Sequence, residues 1–351
     1  MGKMIVVNIV PTGVGAAIGG YEGDATPATN AMAVIADKVI THPNVVNGVA
    51  LNMASKNVLY VEGYSLDQFF QGKFALREGN PNKIGVILDN KKVSIEGINL
   101  ALNTINAMRV IKGIEIVGIK EAKYPIGAES EKTKAGIVVG KLKNPKTFLK
   151  PAKELIECGA EAIAICTRIK INQKDLDLFF KGMGPNPYGG VEAIISHAIS
   201  AHFSIPCAHA PILSKKEIEK EIFSGVIDSR AAAEAMGPAY LGSVLQGLSA
   251  APKLVPTQNA KDCDLIVGDV SAVVLPYSCM GGIPALASQK YHIPIIAVKE
   301  NNTVLNVTPE KLKMKNIIVV ENYLEALGVI TAMKEGIDYR AIRRPIEPIV
   351  F

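Results

Sequence analysis

Short runs of β-branched residues alternate with longer helix-like segments along almost the whole chain. In the second half, for example, an apolar run at residues 162–166 is followed by a helical pattern at 191–201 and by another apolar run at 205–208. Parallel strands need a long crossover connection, usually a helix, so this alternation is typical of parallel βαβ units. The sequence therefore predicts an α/β fold with mostly parallel sheets. Among the individual elements, it predicts strands at 84–88 and 265–267, a helix at 94–108 with Ser94 as its N-cap, and a helix at 228–236.

A polar segment in the first half of the chain predicts how the fold is divided. Residues 121–135 are rich in Lys and Glu and include a Pro and a Gly. The chain has 351 residues, whereas single domains most often have roughly 100–150. We expect two Rossmann-like lobes, residues 1–120 and 136–351, joined by a linker at 121–135 and separated by a cleft. A closed eight-stranded barrel is the alternative, and the irregular spacing of the predicted strands favours two lobes.

Charge and composition limit the classes of partner. The 38 Lys and Arg residues outnumber the 33 Asp and Glu residues but are dispersed, and aromatic residues make up 5% of the chain, with no Trp. Nucleic-acid binders usually cluster their basic residues or offer aromatic rings for stacking, so we expect no nucleic-acid partner. The mild excess of positive charge suits a small anionic ligand. A homo-oligomer is left open.

Cysteine usage and the apolar runs predict a cytoplasmic protein. The five cysteines form no CxxC motif, and the first residues show no signal-peptide pattern. The apolar runs all end well before the ~18 residues that a membrane-spanning helix needs. We therefore expect a chain with reduced thiols and no membrane segment.

Polar residues follow most of the predicted strands. In an open parallel sheet, ligands bind outside the carboxyl ends of the strands, so these positions are candidates for a binding site. They are His42, Glu62, Asp89, Arg168, His209, Asp269, Cys279 and the run from Lys299 to Asn302. We expect three or four of them to share one cleft.

Three glycine-rich turns each follow a strand and open a helix. Glycine lets backbone N–H groups approach an anion, and the helix N-terminus adds partial positive charge, so each turn is a candidate anion site. We expect the three turns, at residues 12–24, 184–192 and 278–284, to line a single cleft. A purely structural loop remains the alternative for all three. The first turn matches neither a Walker loop nor the dinucleotide fingerprint, in which Ile18 would have to be a small residue. The candidate binding residues are Thr12, Gly13, Gly15, Gly19, Gly20 and Asp24 in the first turn, Asn186, Gly189, Gly190 and Glu192 in the second, Ser278, Gly281 and Gly282 in the third, and Lys299 and Asn301 nearby.

Four residues are candidate catalytic groups. His42 and His209 each follow a strand, and histidine titrates near neutral pH, so either ring can transfer a proton, with Glu62 as a carboxylate partner. Cys279 stands close to a helix N-terminus, where a thiol can have a lowered pKa, although a free Cys is more often a small buried apolar residue. Helix capping explains Asp24 equally well, and the helix dipole explains Glu192.

A metal site is not predicted, and no cofactor is indicated. Cys207 and His209 lie two residues apart on an extended segment and could form a site with His42 or Asp24, but nothing in the spacing requires one. The histidines expected to be structural or exposed are His197, His202 and His292.

Several segments resemble the signature segments of a domain-of-unknown-function family found in archaea, cyanobacteria and plants. They are IVPTGVGAAIGGYEGDATP, ITHPNVVNG, NVLYVEGYSLD, PNPYGGVEAIISH, PCAHAP and CMGGIPALA, and they span most of the chain. The resemblance implies membership of that family and no particular reaction. A second, local similarity relates Gly189-Gly190-x-Glu192 and its helix to nicotinate-nucleotide phosphoribosyltransferases.

The function favoured by these patterns is an intracellular enzyme that acts on a small anionic metabolite, for example a phosphorylated one. The glycine-rich turns would bind the anion, and the His and carboxylate groups would transfer protons. A non-catalytic metabolite-binding or regulatory protein would use the same turns without the acid–base groups. The local similarity implies a phosphoribosyltransferase-like activity as a weaker alternative.

Overall fold

The computed structural model of the protein describes residues 3–350 except 22, 49, 216, 218–229, 231–239 and 347. These residues form fifteen strands and nine α-helices. The strands are β1 (Ile5–Asn8), β2 (Lys38–Thr41), β3 (Val58–Tyr60), β4 (Phe74–Arg77), β5 (Ile84–Leu88), β6 (Ile116–Glu121), β7 (Ala128–Lys132), β8 (Val138–Leu142), β9 (Ala162–Thr167), β10 (Ile169–Lys170), β11 (Cys207–Pro211), β12 (Lys253–Pro256), β13 (Ala272–Pro276), β14 (Ile295–Val298) and β15 (Ile317–Val320). The helices are α1 (Thr26–Ile35), α2 (Gly63–Phe70), α3 (Ile95–Lys112), α4 (Leu149–Glu157), α5 (Gln173–Phe180), α6 (Gly189–Phe203), α7 (Tyr240–Ala250), α8 (Ile283–Lys290) and α9 (Tyr323–Lys334).

The first sheet is parallel and draws its strands from both ends of the chain. Its six strands run in the order β15-β14-β13-β1-β2-β3. The central strand β1 pairs with β13 through Val6 opposite Ala272, and with β2 through Val6 opposite Val39. The four residues of β1 are all buried, as expected for a strand covered on both faces.

The second sheet is also parallel and uses the middle of the chain. Its four strands run in the order β11-β9-β5-β6. One face packs against α4 and α6 through apolar side chains such as Leu155 and Ile195, and the other packs against α3 and α7 through Ile105 and Leu245. Together the two sheets confirm the predicted α/β fold with mostly parallel strands.

Helices cover both faces of the first sheet in the same way. On one face Phe69 of α2 and Ala285 of α8 pack against β1 and its neighbours. On the other face Met32 of α1 and Ile330 of α9 are fully buried. None of the helices in the described parts of the chain is long and apolar enough to cross a membrane.

The sheets divide the chain differently from the predicted boundary. The chain leaves the first sheet through β4 and returns to it through β12, and these two strands pair antiparallel with each other. The predicted linker at 121–135 contains β7, which pairs with β8 and β10 in a three-stranded sheet. Its charged residues Glu129 and Glu131 form ion pairs with Lys143 and Lys141. The polar composition of this segment therefore reflects a partly exposed strand.

Several local predictions agree with the structure, and one is wrong. The predicted N-cap Ser94 accepts a hydrogen bond from the Gly97 N–H at 3.1 Å and begins α3. Residues 265–267, predicted as a strand, contribute one isolated bridge, Leu76 to Leu265, and then enter a 3₁₀ turn in which Asp269 accepts from the Ile266 N–H. The predicted helix at 228–236 lies outside the described residues, except for residue 230.

Candidate functional site

A cavity of about 110 Å³ lies where the carboxyl ends of β1, β2 and β3 face the second sheet. A buried water needs about 10–15 Å³ of such space, so the cavity has room for several waters or a small molecule. The first sheet contributes the residues after its strands, and the second contributes α6, α7 and the middle of β11. The lining residues are Thr12, His42, Pro43, Asn44, Asn47, Gly48, Tyr60, Glu62, Gly63, Gly189, Glu192, Ala193, Ser196, His197, Ala208, His209, Ser243 and Val244.

Glu62 is a buried carboxyl on the wall of this cavity. It stands between β3 and α2, and only 5% of the residue is exposed. Its Oε1 atom has no hydrogen-bond partner among the described residues. Burial raises the pKa of Glu62 to about 8, and a hydrogen bond from the Tyr60 side chain opposes this rise. The carboxyl is therefore mostly protonated at neutral pH.

His42 follows β2 and is held as a neutral ring. Its Nε2 atom accepts a hydrogen bond from the backbone N–H of Val10 at 3.1 Å. Burial lowers the pKa of His42 to about 4. Because Nε2 accepts, the ring hydrogen resides on Nδ1. His42 therefore offers one N–H donor in the wall of the cavity.

Glu192, His209 and Thr167 form a buried chain of hydrogen bonds that starts at the cavity. Glu192 Oε1 lies 3.1 Å from His209 Nδ1, and His209 Nε2 lies 2.7 Å from Thr167 Oγ1. The side chain of His209 is fully buried, and that of Glu192 is 14% exposed. Burial raises the pKa of Glu192 to about 8 and lowers that of His209 to about 3. Both hydrogen bonds pass through one imidazole ring, so the tautomer of His209 sets which partner donates in each.

His197 lies on the same wall, although the sequence suggested a structural or exposed role. A Cβ atom added to Gly63 would lie 3.3 Å from His197 Nε2, so the ring sits against the start of α2 beside Glu62. Burial lowers the pKa of His197. One face of α6 carries Glu192, Ser196 and His197, which are spaced i, i+4 and i+5. This spacing is the signal in the sequence that could have identified Ser196 and His197. The other lining polar residues that sequence reasoning missed are Asn44, Asn47, Tyr60 and Ser243.

The first glycine-rich turn reaches the cavity through Thr12. Its glycines have backbone and packing reasons of their own. Gly13 has φ +70°, a conformation that favours glycine, and a Cβ on Gly20 would lie 2.0 Å from the Ala16 carbonyl oxygen. Asp24 accepts the Gly19 N–H, and burial raises the pKa of Asp24 to about 6. Apart from Thr12, the candidates in this turn are absent from the cavity lining; they are Gly13, Gly15, Gly19, Gly20 and Asp24.

The second turn contributes Gly189 and Glu192 to the cavity. A Cβ on Gly189 would lie 2.1 Å from Thr12 Oγ1, and one on Gly190 would lie 2.1 Å from the Val138 carbonyl oxygen. Asn186 Oδ1 accepts the Tyr188 N–H at 2.9 Å, an ordinary turn bond. Close packing of backbones therefore accounts for the glycine pair on which the local similarity to phosphoribosyltransferases depended.

The third turn does not reach the cavity. Cys279 is 3% exposed, and its Sγ atom lies 3.4 Å from Thr303 Oγ1, which also lies 2.7 Å from Ser278 Oγ. Burial raises the pKa of the Cys279 thiol, the opposite of what an activated nucleophile needs. A Cβ would meet only side-chain carbons at Gly281 and Gly282, the nearest 3.3 and 3.8 Å away. The turn therefore stays outside the cleft that all three turns were expected to share.

The candidate binding residues Lys299 and Asn301 have partners outside the cavity. Lys299 forms an ion pair with Glu321 at 2.7 Å. The amide group of Asn301 accepts the Ile18 N–H and donates to the Ile18 carbonyl and to Tyr323. Asn301 therefore holds the first turn in place.

The charge of the cavity differs from that of the whole chain. Among the described residues that line it are two carboxyls, Glu62 and Glu192, and no Lys or Arg. Arg168, which follows β9, donates to the Ile212 carbonyl and pairs with Glu217. The described residues include no group of three or more His, Cys, Asp or Glu side chains that could hold a metal ion.

The two parallel sheets and the cavity between the strand ends of the first and the second sheet define an α/β protein with one candidate site. The chain belongs to the family described as "Protein of unknown function (DUF3326)", whose model matches residues 5–343. It is also similar to a protein of Synechococcus sp. (strain ATCC 27144 / PCC 6301 / SAUG 1402/1) that is named an uncharacterized lipoprotein, with 35% identity over 341 residues, 96% of this chain and 92% of that protein. The predicted membership of an uncharacterised family is confirmed, with a cyanobacterial relative. No solved structure matches the chain.

Proposed function

We propose that this chain is an enzyme that transfers protons to and from a small polar substrate bound in the cavity. The observation that supports this most strongly is the state of Glu62. A carboxyl that is buried, protonated near neutral pH and left with an unpartnered oxygen at a cavity wall has the properties of a general acid–base group. A group that served only the fold would be expected to have both oxygens satisfied.

Proton transfer on a substrate needs an acid and a base, and the cavity offers both. Glu62 donates its proton to one substrate atom. The neutral ring of His197, which lies beside the start of α2, accepts a proton from another. Glu192 lines the cavity as well, and its hydrogen bond to His209 gives it a route for exchanging its own proton. One proton is lost and one is gained, so the substrate is rearranged without change in its oxidation state.

The size and charge of the cavity limit which compounds can bind as substrates. A volume of about 110 Å³ suits a compound of a few heavy atoms. The anionic metabolite expected from the chain's overall charge gains no support from the lining, because two carboxyls line the site and no Lys or Arg accompanies them among the described lining residues. An anion would be repelled once either carboxyl ionised.

Solvent-proton exchange tests this proposal on mixtures of candidate substrates. Pools of small polar metabolites are incubated with the protein in D₂O, and loss of C–H signals or appearance of products is followed by NMR. We expect the wild type to act on at least one pool member and Glu62→Gln to lose that activity. Glu157→Gln, the same change on an exposed position of α4, is the matched control. Full activity in Glu62→Gln would refute the proposal.

A non-catalytic binding protein is the second candidate. Both cavity carboxyls are mostly protonated at neutral pH, so they can serve purely as hydrogen-bond donors to a ligand. Substitution of His197, the proposed proton acceptor, by Gln separates the two functions. Ligand-induced stabilisation should survive in His197→Gln, whereas turnover should be lost if the protein is an enzyme.

We also propose that the protein acts in the cytoplasm. Cys158 and Cys263 are free and exposed, which suits a reducing compartment. The name of the Synechococcus protein describes a lipoprotein, so the opposing prediction is attachment to a membrane. Cell fractionation followed by immunoblotting decides between soluble and membrane fractions. We also propose that the family occurs in archaea and plants.

A further inference from the structure

The charged side chains around the cavity are opposite in sign to the net charge of the whole chain. Lys and Arg outnumber Asp and Glu by 38 to 33 in the sequence. At the cavity, the described lining residues include Glu62 and Glu192 and no basic side chain other than histidine. In a chain with an excess of Lys and Arg, an anion site would be expected to contain basic side chains. The described residues that line this cavity include acidic side chains instead.

The histidines do not restore positive charge to the site. His42, His197 and His209 all line the cavity, and burial lowers the pKa of each ring. Tyr60, the remaining titratable residue of the lining, carries no positive charge in either state. Beyond His209, the carboxyl of Asp89 is close enough to act on the His209 ring electrostatically. Every titratable group among the described lining residues is therefore neutral or potentially negative.

We propose that the substrate carries an organic ammonium group that binds to Glu62 and Glu192. This inference rests on the proposed function, since it assigns a chemical class to the substrate of the same cavity. A cation leaves water only where an opposite charge and hydrogen-bond acceptors replace its hydration. The unpartnered Oε1 of Glu62 supplies an acceptor, and Glu192 supplies a second carboxyl. Ser196 adds a hydroxyl on the same helical face as Glu192.

Binding of such a cation changes the protonation of the site. Glu192 must ionise to pair with the ammonium group, and its proton goes to the solvent, whereas Glu62 keeps its proton and accepts a hydrogen bond through Oε1. One neutral carboxyl and one ammonium ion thus give one carboxylate–ammonium pair and one free proton. A neutral ligand would bind the protonated carboxyl without this release.

Three compounds of nearly equal size separate the charge classes: ethanolamine, ethylene glycol and glycolate. Each is titrated into the full-length protein by calorimetry near neutral pH, at fixed ionic strength, in two buffers of different ionisation enthalpy. We expect ethanolamine to bind at least about tenfold more tightly than ethylene glycol, since a desolvated charge pair contributes more than a neutral hydrogen bond. We also expect proton release with ethanolamine alone.

Variants assign the effect to the cavity. Glu192→Gln should weaken ethanolamine binding by at least about tenfold and abolish the proton release. Glu62→Gln, which keeps a side-chain oxygen as an acceptor, should weaken binding less and leave the proton release unchanged. Glu157→Gln should bind like the wild type. Melting curves without ligand confirm that each variant is folded.

The outcomes distinguish this inference from the function on which it rests. If ethylene glycol or glycolate binds as tightly as ethanolamine, and Glu62→Gln weakens that binding, the ammonium inference is overturned while the cavity remains a substrate site. If ethanolamine does not bind the wild type, or binds both glutamine variants unchanged, the inference is also overturned. Failure of the proposed function is seen separately, as proton exchange that persists in Glu62→Gln.

Discussion

Replacing Glu62 with Gln should change how the stability of the protein depends on pH. Below pH 4.5 the carboxyl is protonated in both the folded and the unfolded state. Between 4.5 and about 8 the unfolded state releases the proton and the folded state keeps it, so rising pH favours unfolding. Gln is neutral at every pH and lacks this dependence. The wild type should therefore lose stability relative to Glu62→Gln as the pH rises.

The size of the effect follows from the two pKa values. At about 1.36 kcal/mol per pH unit, the interval from 4.5 to about 8 corresponds to about 5 kcal/mol when it is fully traversed. Between about pH 5 and about pH 8, the expected change in the difference between variant and wild type is about 3.5 kcal/mol. Any constant cost of the amide appears at both pH values and cancels from this change.

Urea unfolding, followed by circular dichroism at several pH values, measures the two free energies of unfolding. His42, Glu192 and His209 also titrate differently in the folded and unfolded states, but they are present in both proteins and cancel in the comparison. Glu157→Gln, in which an exposed carboxyl is removed, is the matched control, because an exposed ion pair contributes little to stability. A difference between Glu62→Gln and wild type that stays constant within about 1 kcal/mol from about pH 5 to about pH 8 would refute the reasoning, because the carboxyl would then titrate alike in both states.

Two further predictions concern the loops around the cavity. His42→Phe removes the acceptor of the buried Val10 N–H and should cost about 1–3 kcal/mol near neutral pH in urea unfolding. The stability difference between wild type and His42→Phe should shrink as the pH falls from 6.5 towards 4. In that range His42 takes up a proton in the unfolded state but not in the folded state, so the wild type loses stability. A difference that grows in acid would contradict this prediction. Gly190→Ser should lower the free energy of unfolding by about 1–3 kcal/mol, since its Cβ would lie 2.1 Å from the Val138 carbonyl oxygen. Gly282→Ser lies at a helix N-cap where a Cβ would make only an ordinary contact, 3.8 Å from Pro284 Cδ, and should cost nothing measurable in the same assay. Equal losses in the two variants would show the packing argument to be wrong.

Local elements were predictable from the sequence because their signals are local. The strand at 84–88 agrees with β5 to the residue, and the N-cap Ser94 precedes α3 as expected. The sheet order was not predictable in the same way. Alternating strands and helices establish that strands are parallel, but nothing in the pattern states which strand lies beside β1. The segment at 121–135 was predicted as a linker because a half-exposed antiparallel strand and a linker have similarly polar sequences.

The site could be predicted in part for a topological reason. His42 and Glu62 follow neighbouring strands, and the ends of parallel strands meet at one edge of a sheet, so they were expected to share a cleft and do line one cavity. His197 was missed because it lies on a helix, where one polar residue among apolar ones carries little information. The charge of the cavity was missed because composition sums over the chain and does not say which charges are buried.

The pairing of β1 with β13 has a consequence for how the protein is made. The two strands are separated by 266 residues in the chain, as the bond between Ile5 and Ser271 also shows. At synthesis rates of about 5–20 residues per second, β1 waits roughly 10–50 s on the ribosome for this partner. The strands from β5 to β11 emerge earlier and can form their sheet in the nascent chain during that interval. An unpaired edge of β1 is open to wrong partners until then. The emergence of β13 is therefore the step of translation at which the first sheet can close.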